Sequence, residues 1–209
     1  MIMFAPNIKR TQEGWVDFPS DQKLRKQLWP PEASSHPAKF NCFLVWEVMK
    51  YLTKPGDTVL DPMSGSGTTM LAALEGRKVI CIELVKKYHD MQVQVLANLE
   101  NVKPGIDEDV VLLHGDCNKF LPLEVDCILF SPPYSNILKN VADLTPDAVD
   151  YLENPWSAGS SSDFIYWQRM EKIYKKLLLS APVMAVVIKD AMKGKKRREL
   201  VKDTIELCK

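Results

Sequence analysis

Asp61-Pro62-Met63-Ser64-Gly65-Ser66-Gly67-Thr68-Thr69 decides how this chain folds. The apolar run Thr58-Val59-Leu60 ends in an acid, breaks into small residues, and resumes as helix-forming Met70-Leu71-Ala72-Ala73-Leu74. The pattern predicts a buried strand, a tight glycine turn and a helix. In open α/β sheets, ligands collect in the crevice beyond the carboxyl ends of such strands. The loop is therefore expected to cradle a small cofactor.

Outward from that loop, strands and helices alternate. A helical pattern begins at Phe40 and continues through Phe43, Leu44, Val48 and Tyr51-Leu52, until Lys54-Pro55-Gly56-Asp57 turns the chain into the first strand. Beyond the loop come a strand over 78–83, a helix through Tyr88, Met91, Val95 and Leu99, and a strand over 110–113 ending at His114-Gly115-Asp116. A fourth strand, 125–130, runs into Ser131-Pro132-Pro133-Tyr134. A helix with Ile165, Met170, Ile173 and Leu177 precedes a fifth strand over 183–188. Such alternation predicts an α/β fold with a doubly wound, mostly parallel, Rossmann-like sheet. Residues 1–35 read as an irregular arm packed on the domain, with Trp15, Phe18 and Trp29 as anchors. The main domain is expected over 36–209, and 135–165 reads as a mobile loop. The basic stretch Lys193 to Arg198 reads as a loop before a final short helix.

Composition narrows the classes. The 209 residues suffice for one domain with a substantial core, and 46% hydrophobic against 26% charged residues is globular rather than disordered. A formal net charge of zero means that any nucleic-acid contact must come from local patches. The five cysteines are scattered without CxxC spacing, which suggests reduced thiols and a cytoplasmic protein. No apolar run approaches the ~18 residues of a membrane span. The three histidines lie far apart in sequence, so no metal site and no membrane partner are expected.

The loop admits three readings. A phosphate loop requires a lysine after the last glycine, and none is present. A GxGxxG dinucleotide fingerprint half-fits, with Met70 in place of the third glycine. Asp61 would repel a phosphate but suits a ligand carrying a cation, such as the ammonium of a methionine moiety. Glu83 and Asp116 end the next two strands, where acids can accept hydrogen bonds from ribose hydroxyls and an adenine amino group. Each acid alone is more often a turn or helix cap, but three at successive strand ends favour S-adenosylmethionine. Pro-Pro after a strand is by itself a rigid turn. Because the fourth strand of such a sheet normally lies beside the first, both loops are expected to face one cleft.

The pair DPMSGSGTT and SPPY resembles the amino-methyltransferases of nucleic acids, which methylate exocyclic nitrogens using S-adenosylmethionine. The SPPY form is most similar to the cytosine-N4 DNA enzymes; adenine-N6 members more often begin with Asp, and RNA enzymes with Asn or Asp. His36-Pro37-Ala38-Lys39-Phe40 resembles the family's segment against the methionine end of the cofactor. The resemblance covers residues 36–190. It implies cofactor contacts from Lys39, Phe40, Asp61, Pro62, Met63, Ser64, Gly65, Ser66, Gly67, Thr68, Thr69, Glu83, Leu84, Asp116, Cys117 and Ser131. It implies catalysis by Ser131, Pro132, Pro133 and Tyr134. The partner implied is DNA, with its target base flipped into the cleft. Lys193, Lys195, Lys196, Arg197 and Arg198 are candidate phosphate contacts, with a solvated loop the equal alternative. No thiolate in a Pro-Cys setting is available for cytosine-C5 chemistry. The family's terminal hairpin strands and a target-recognition domain are not expected in this chain. A segment or subunit elsewhere would supply recognition, or the chain is a non-catalytic module within a complex.

Overall fold

The computed structural model describes residues 8–35, 39–133, 163–193 and 196–209. Its centre is a five-stranded parallel sheet of β1 (Thr58–Asp61), β2 (Lys78–Glu83), β3 (Val110–His114), β4 (Cys127–Phe130) and β5 (Met184–Val186). The order is β3-β2-β1-β4-β5. The chain therefore winds outward from β1 in one direction and, after β3, crosses to β4 on the other side. That reversal makes the β1/β4 boundary the topological switch point, where a doubly wound sheet opens a crevice.

The central strands are apolar on both faces because helices cover both. Along β1, Val59 packs into one core and Leu60 into the other; Cys81 and Ile82 of β2 divide the same way. In β4, Cys127 and Leu129 face one side, Ile128 and Phe130 the opposite. The first core is closed by α1 (Gln22–Leu28), α2 (Cys42–Leu52), α3 (Leu71–Leu74) and α4 (Lys86–Glu100). The second is closed by α5 (Asp163–Leu178), through Tyr166, Met170, Ile173, Tyr174 and Leu177. Four cysteines are buried thiols and Cys208 is half-buried; none forms a disulfide.

Three details depart from the sequence reading. The arm contains a true helix, α1, whose Leu28 is buried; Trp29 is 5% exposed whereas Trp15 is 72% exposed, so only the former is an anchor. The fifth strand contracts to three residues. The basic stretch read as a loop is paired instead: β6 (Ala191–Lys193) runs antiparallel to β7 (Lys196–Arg198) with Lys193 opposite Lys196. Two residues, Gly194 and Lys195, separate the strands, the commonest hairpin spacing. This hairpin forms its own two-stranded sheet ahead of α6 (Leu200–Leu207), so it does not extend the parallel sheet.

Candidate functional site

The loops after β1 and β4 leave the sheet side by side, because Leu60 pairs with Ile128 in parallel register. The first of them is held from three directions. From below, Asp61 is 1% exposed and accepts from Thr69 Oγ1 at 2.6 Å and from the Met63 amide at 3.2 Å. Its carboxyl thus bridges both ends of the glycine turn. Burial raises its pKa to about 7, against the lowering effect of those two bonds. From β2, Glu83 accepts from the Gly65 amide at 2.7 Å and the Val85 amide at 2.8 Å, while Ser64 Oγ donates to the Ile82 carbonyl at 3.0 Å. Pro62, Met63 and Ser66 complete the turn; Ser66 is buried and its carbonyl accepts from Trp29 Nε1 at 2.7 Å.

The third support comes from a residue that the sequence reading passed over. Gln92 on α4 is fully buried, and its Nε2 donates to Ser64 Oγ at 2.8 Å and the Gly65 carbonyl at 2.7 Å. It sits in the apolar stripe of Tyr88, Met91, Val95 and Leu99, and a polar residue in such a stripe was the available signal. Gln92→Ala should strand two buried acceptors, costing about 2–3 kcal/mol; urea unfolding of the variant would measure it. Gly67 carries φ +75°, and a Cβ there would meet Met70 Cε and, at 2.9 Å, Gln92 Cγ. Only glycine fits beneath that helix. Thr68 and Thr69, both buried, then open a short 3-10 turn leading into α3.

The remaining predicted contacts fall at the same edge. Asp116 caps the 3-10 turn Cys117–Lys119, with Oδ1 accepting from the Asn118 amide at 2.9 Å and Asn118 Nδ2 at 3.2 Å. Among the described residues its Oδ2 holds no partner, leaving an acceptor beside β3. Cys117 is buried, its thiol pushed up to about 12 by burial, and it is no nucleophile. Leu84 follows Glu83 directly. On the facing loop Pro132 is buried and Ser131 and Pro133 are half-buried; Tyr134 lies outside the described residues, as do His36, Pro37, Ala38 and Lys195. Lys39 and Phe40 are brought to the glycine loop by α1, where Arg25 Nη2 donates both to the Phe40 carbonyl and to Thr68 Oγ1. Lys193, Lys196, Arg197 and Arg198 are placed together on the hairpin. Among the described residues no cluster of His, Cys, Asp or Glu is suited to a metal ion, and no helix is long and apolar enough to cross a membrane.

A five-stranded parallel sheet with helices on both faces and a switch point between β1 and β4 is a Rossmann-like fold. Residues 6–94 match the N6/N4 family model described as DNA methylase. The chain is 44% identical over 80 residues to the type II methyltransferase M.BglI of Bacillus subtilis, covering 32% of this chain and 23% of that one. It is 39% identical over 77 residues to type II methyltransferase M.Cfr9I of Citrobacter freundii, covering 34% and 26%. A putative methylase of Escherichia coli, YubD, is 39% identical over 66 residues, covering 31% and 29%. The chain thus spans about a quarter of the length of these relatives. Among solved structures, a precorrin-8w decarboxylase from Methanobacterium thermoautotrophicum aligns over 91% of this chain and 78% of its own, at TM-score 0.48 and 15% identity. Over these residues the chain is similar to the DNA methylases of the N6/N4 family.

Proposed function

We propose that this chain is the cofactor-binding and catalytic part of a DNA methyltransferase that moves a methyl group from S-adenosylmethionine to an exocyclic amine, cytosine N4 first. The observation that carries the reading is the side-by-side exit of the Asp61–Thr69 and Ser131–Pro133 loops at the switch point. The cofactor fits the donor set on chemical grounds. Asp116 Oδ2 is an open acceptor for an adenine amino group, and the Glu83 carboxylate stands at the end of β2, where a carboxylate can accept from ribose hydroxyls. Asp61 supplies the negative charge beneath the turn. Bound there, the cofactor supplies an electrophilic sulfonium methyl.

The other loop handles the nucleophile. An exocyclic amine of cytosine is weakly nucleophilic because its lone pair is delocalised into the ring. Ser131 Oγ and the Pro132 carbonyl would accept its two hydrogens, holding the nitrogen for in-line attack and draining positive charge as it develops. Two prolines fix that carbonyl's direction before the substrate arrives. Tyr134 would stack on a flipped base, whose extrusion costs a few kcal/mol from duplex DNA. The basic residues of β6 and β7, with Lys195 between, would neutralise phosphates. Replacing Lys196 and Arg197 by glutamine should weaken DNA binding and reduce the slope of log affinity against log salt by about two. Filter binding at several salt concentrations would test this.

Adenine N6 is the second reading, supported by a family model that carries both designations. Incubation with unmodified DNA and labelled cofactor, digestion to nucleosides and mass analysis separates the two. N4-methylcytosine supports the first and N6-methyladenine the second. Cofactor binding with no product in DNA or RNA, even after adding the full-length relatives' missing portions in trans, would favour a non-catalytic module.

A further inference from the structure

Helix α5 runs past the carboxyl edge of the sheet, and what it carries there is apolar and uncovered. Two contacts fix its direction against β4. At its foot, the Ser180 carbonyl accepts from the Val125 amide at 2.9 Å, just before β4 begins. Higher up, the Tyr174 ring lies 5.8 Å from that of Phe130, the last residue of β4. Helix and strand are therefore antiparallel. Phe164 lies ten residues before Tyr174, about 15 Å further along the helix axis. The first turn thus overhangs the edge from which the Ser131–Pro133 loop leaves. Its inner side is packed: Tyr166 is 1% exposed, and Trp167 meets it edge-on with ring centroids 4.9 Å apart. Its outer side is not, with Phe164 71% and Ile165 42% exposed.

The loop's other border is cationic. The Val187 amide donates to the Phe130 carbonyl at 2.9 Å, so the chain after β5 leaves the sheet beside the Ser131–Pro133 loop, on the side away from β1. The exposed Lys189 follows directly, and then the hairpin with Lys193 opposite Lys196 and with Arg197 and Arg198. An aromatic overhang on one border and a run of cations on another match a partner that has phosphates outside and stacked bases within. A base drawn out of a duplex leaves a gap between its neighbours, and proteins that deform DNA fill such gaps with apolar wedges such as Phe.

Resting on the methyltransferase reading above, we propose that Phe164 is such a wedge: it enters the base stack where the target base has left, with Lys189 on a phosphate beside it. Helix α5 then serves the substrate as well as the core, and the DNA lies over the β4/β5 side of the edge.

The test measures binding to two short duplexes of one sequence, fully paired or with a single abasic position at the centre, in the presence of S-adenosylhomocysteine. The abasic duplex offers the gap without the cost of opening it. The unmodified protein should bind it about 10- to 100-fold more tightly than the paired duplex, the size of one base–aromatic stack. Phe164→Ala should abolish that preference by losing affinity for the abasic duplex, and Phe164→Trp should keep it. Lys189→Gln should weaken both duplexes alike and lower the salt slope by about one. An equal loss for both duplexes in Phe164→Ala, or a preference that survives the substitution, would overturn the inference, as would no preference in the unmodified protein. S-adenosylhomocysteine binding by calorimetry with no affinity for either duplex would remove the DNA reading as well.

Discussion

Ser131→Ala should lower the rate of methyl transfer by about 10²- to 10³-fold, the usual consequence of deleting one preorganised polar contact to a centre where charge develops. Cofactor affinity should stay within a few-fold of the unmodified protein. The separation follows from the topology: Ser131 leaves β4, whereas the glycine turn and its supports belong to β1, β2, α1 and α4. Nothing in the described network hangs the turn on the Ser131 hydroxyl. Single-turnover rates with a saturating donor, alongside calorimetric affinity, would check both halves. A variant that methylated at a near-normal rate would remove Ser131 from its role as acceptor. One that lost donor affinity equally would move it into the cofactor site.

The second large effect concerns Asp61, whose carboxyl is fully enclosed and raised to about 7 against an ordinary value near 3.8. A group whose folded pKa exceeds its unfolded one binds more protons when folded, so its contribution to stability is greatest in acid. That contribution is lost as pH rises from about 4 through 7, on the order of 2–4 kcal/mol. Asp61→Asn keeps the polar bridge between Thr69 and Met63 without the ionisation. The variant should therefore gain stability relative to the parent across that window, measured as the difference of two urea-unfolding pH profiles. Donor binding should show the opposite pH trend. An ammonium at the turn favours the ionised carboxylate, so affinity should rise between about pH 5.5 and 7 and then level off. In Asp61→Asn it should be weak and flat. Identical pH profiles for the two proteins would refute the placement of a charged partner at Asp61.

Strand periodicity made the sheet legible. β2 coincides with the expected 78–83, and β1 and β4 end where the acid and the Ser-Pro-Pro break occur. Those strands are apolar on both faces, so their boundaries are set by turn residues that any reading can see. The helix after the glycine turn was harder. Only Leu71–Leu74 is α-helical, and Thr68–Met70 is a 3-10 turn, because Gly67 at positive φ starts the helix steeply under Gln92. The supports of the turn were least visible, since each acts across a large sequence separation. Arg25 reaches Thr68 over 43 positions and Gln92 reaches Gly65 over 27. A local trace of α1 did exist, in Leu24 and Leu28 spaced four apart after Asp21, but the polar surroundings of QKLRKQL concealed it. In the hairpin, alternating apolar residues are missing; the pairing of Ala191–Lys193 with Lys196–Arg198 joins basic residues that composition alone assigns to solvent.

The proposed site is the β1/β4 crevice, holding an S-adenosyl ligand with its adenine toward β3 and its amino-acid end toward the Lys39–Phe40 segment before α2. A crystal structure with S-adenosylhomocysteine tests it most directly. The adenine amino group should lie on Asp116, the ribose on Glu83, and the methionine end between the Asp61–Thr69 turn and the Lys39–Phe40 segment. A ligand bound away from the glycine turn, or lying in the crevice with its adenine and amino-acid ends reversed, would contradict it.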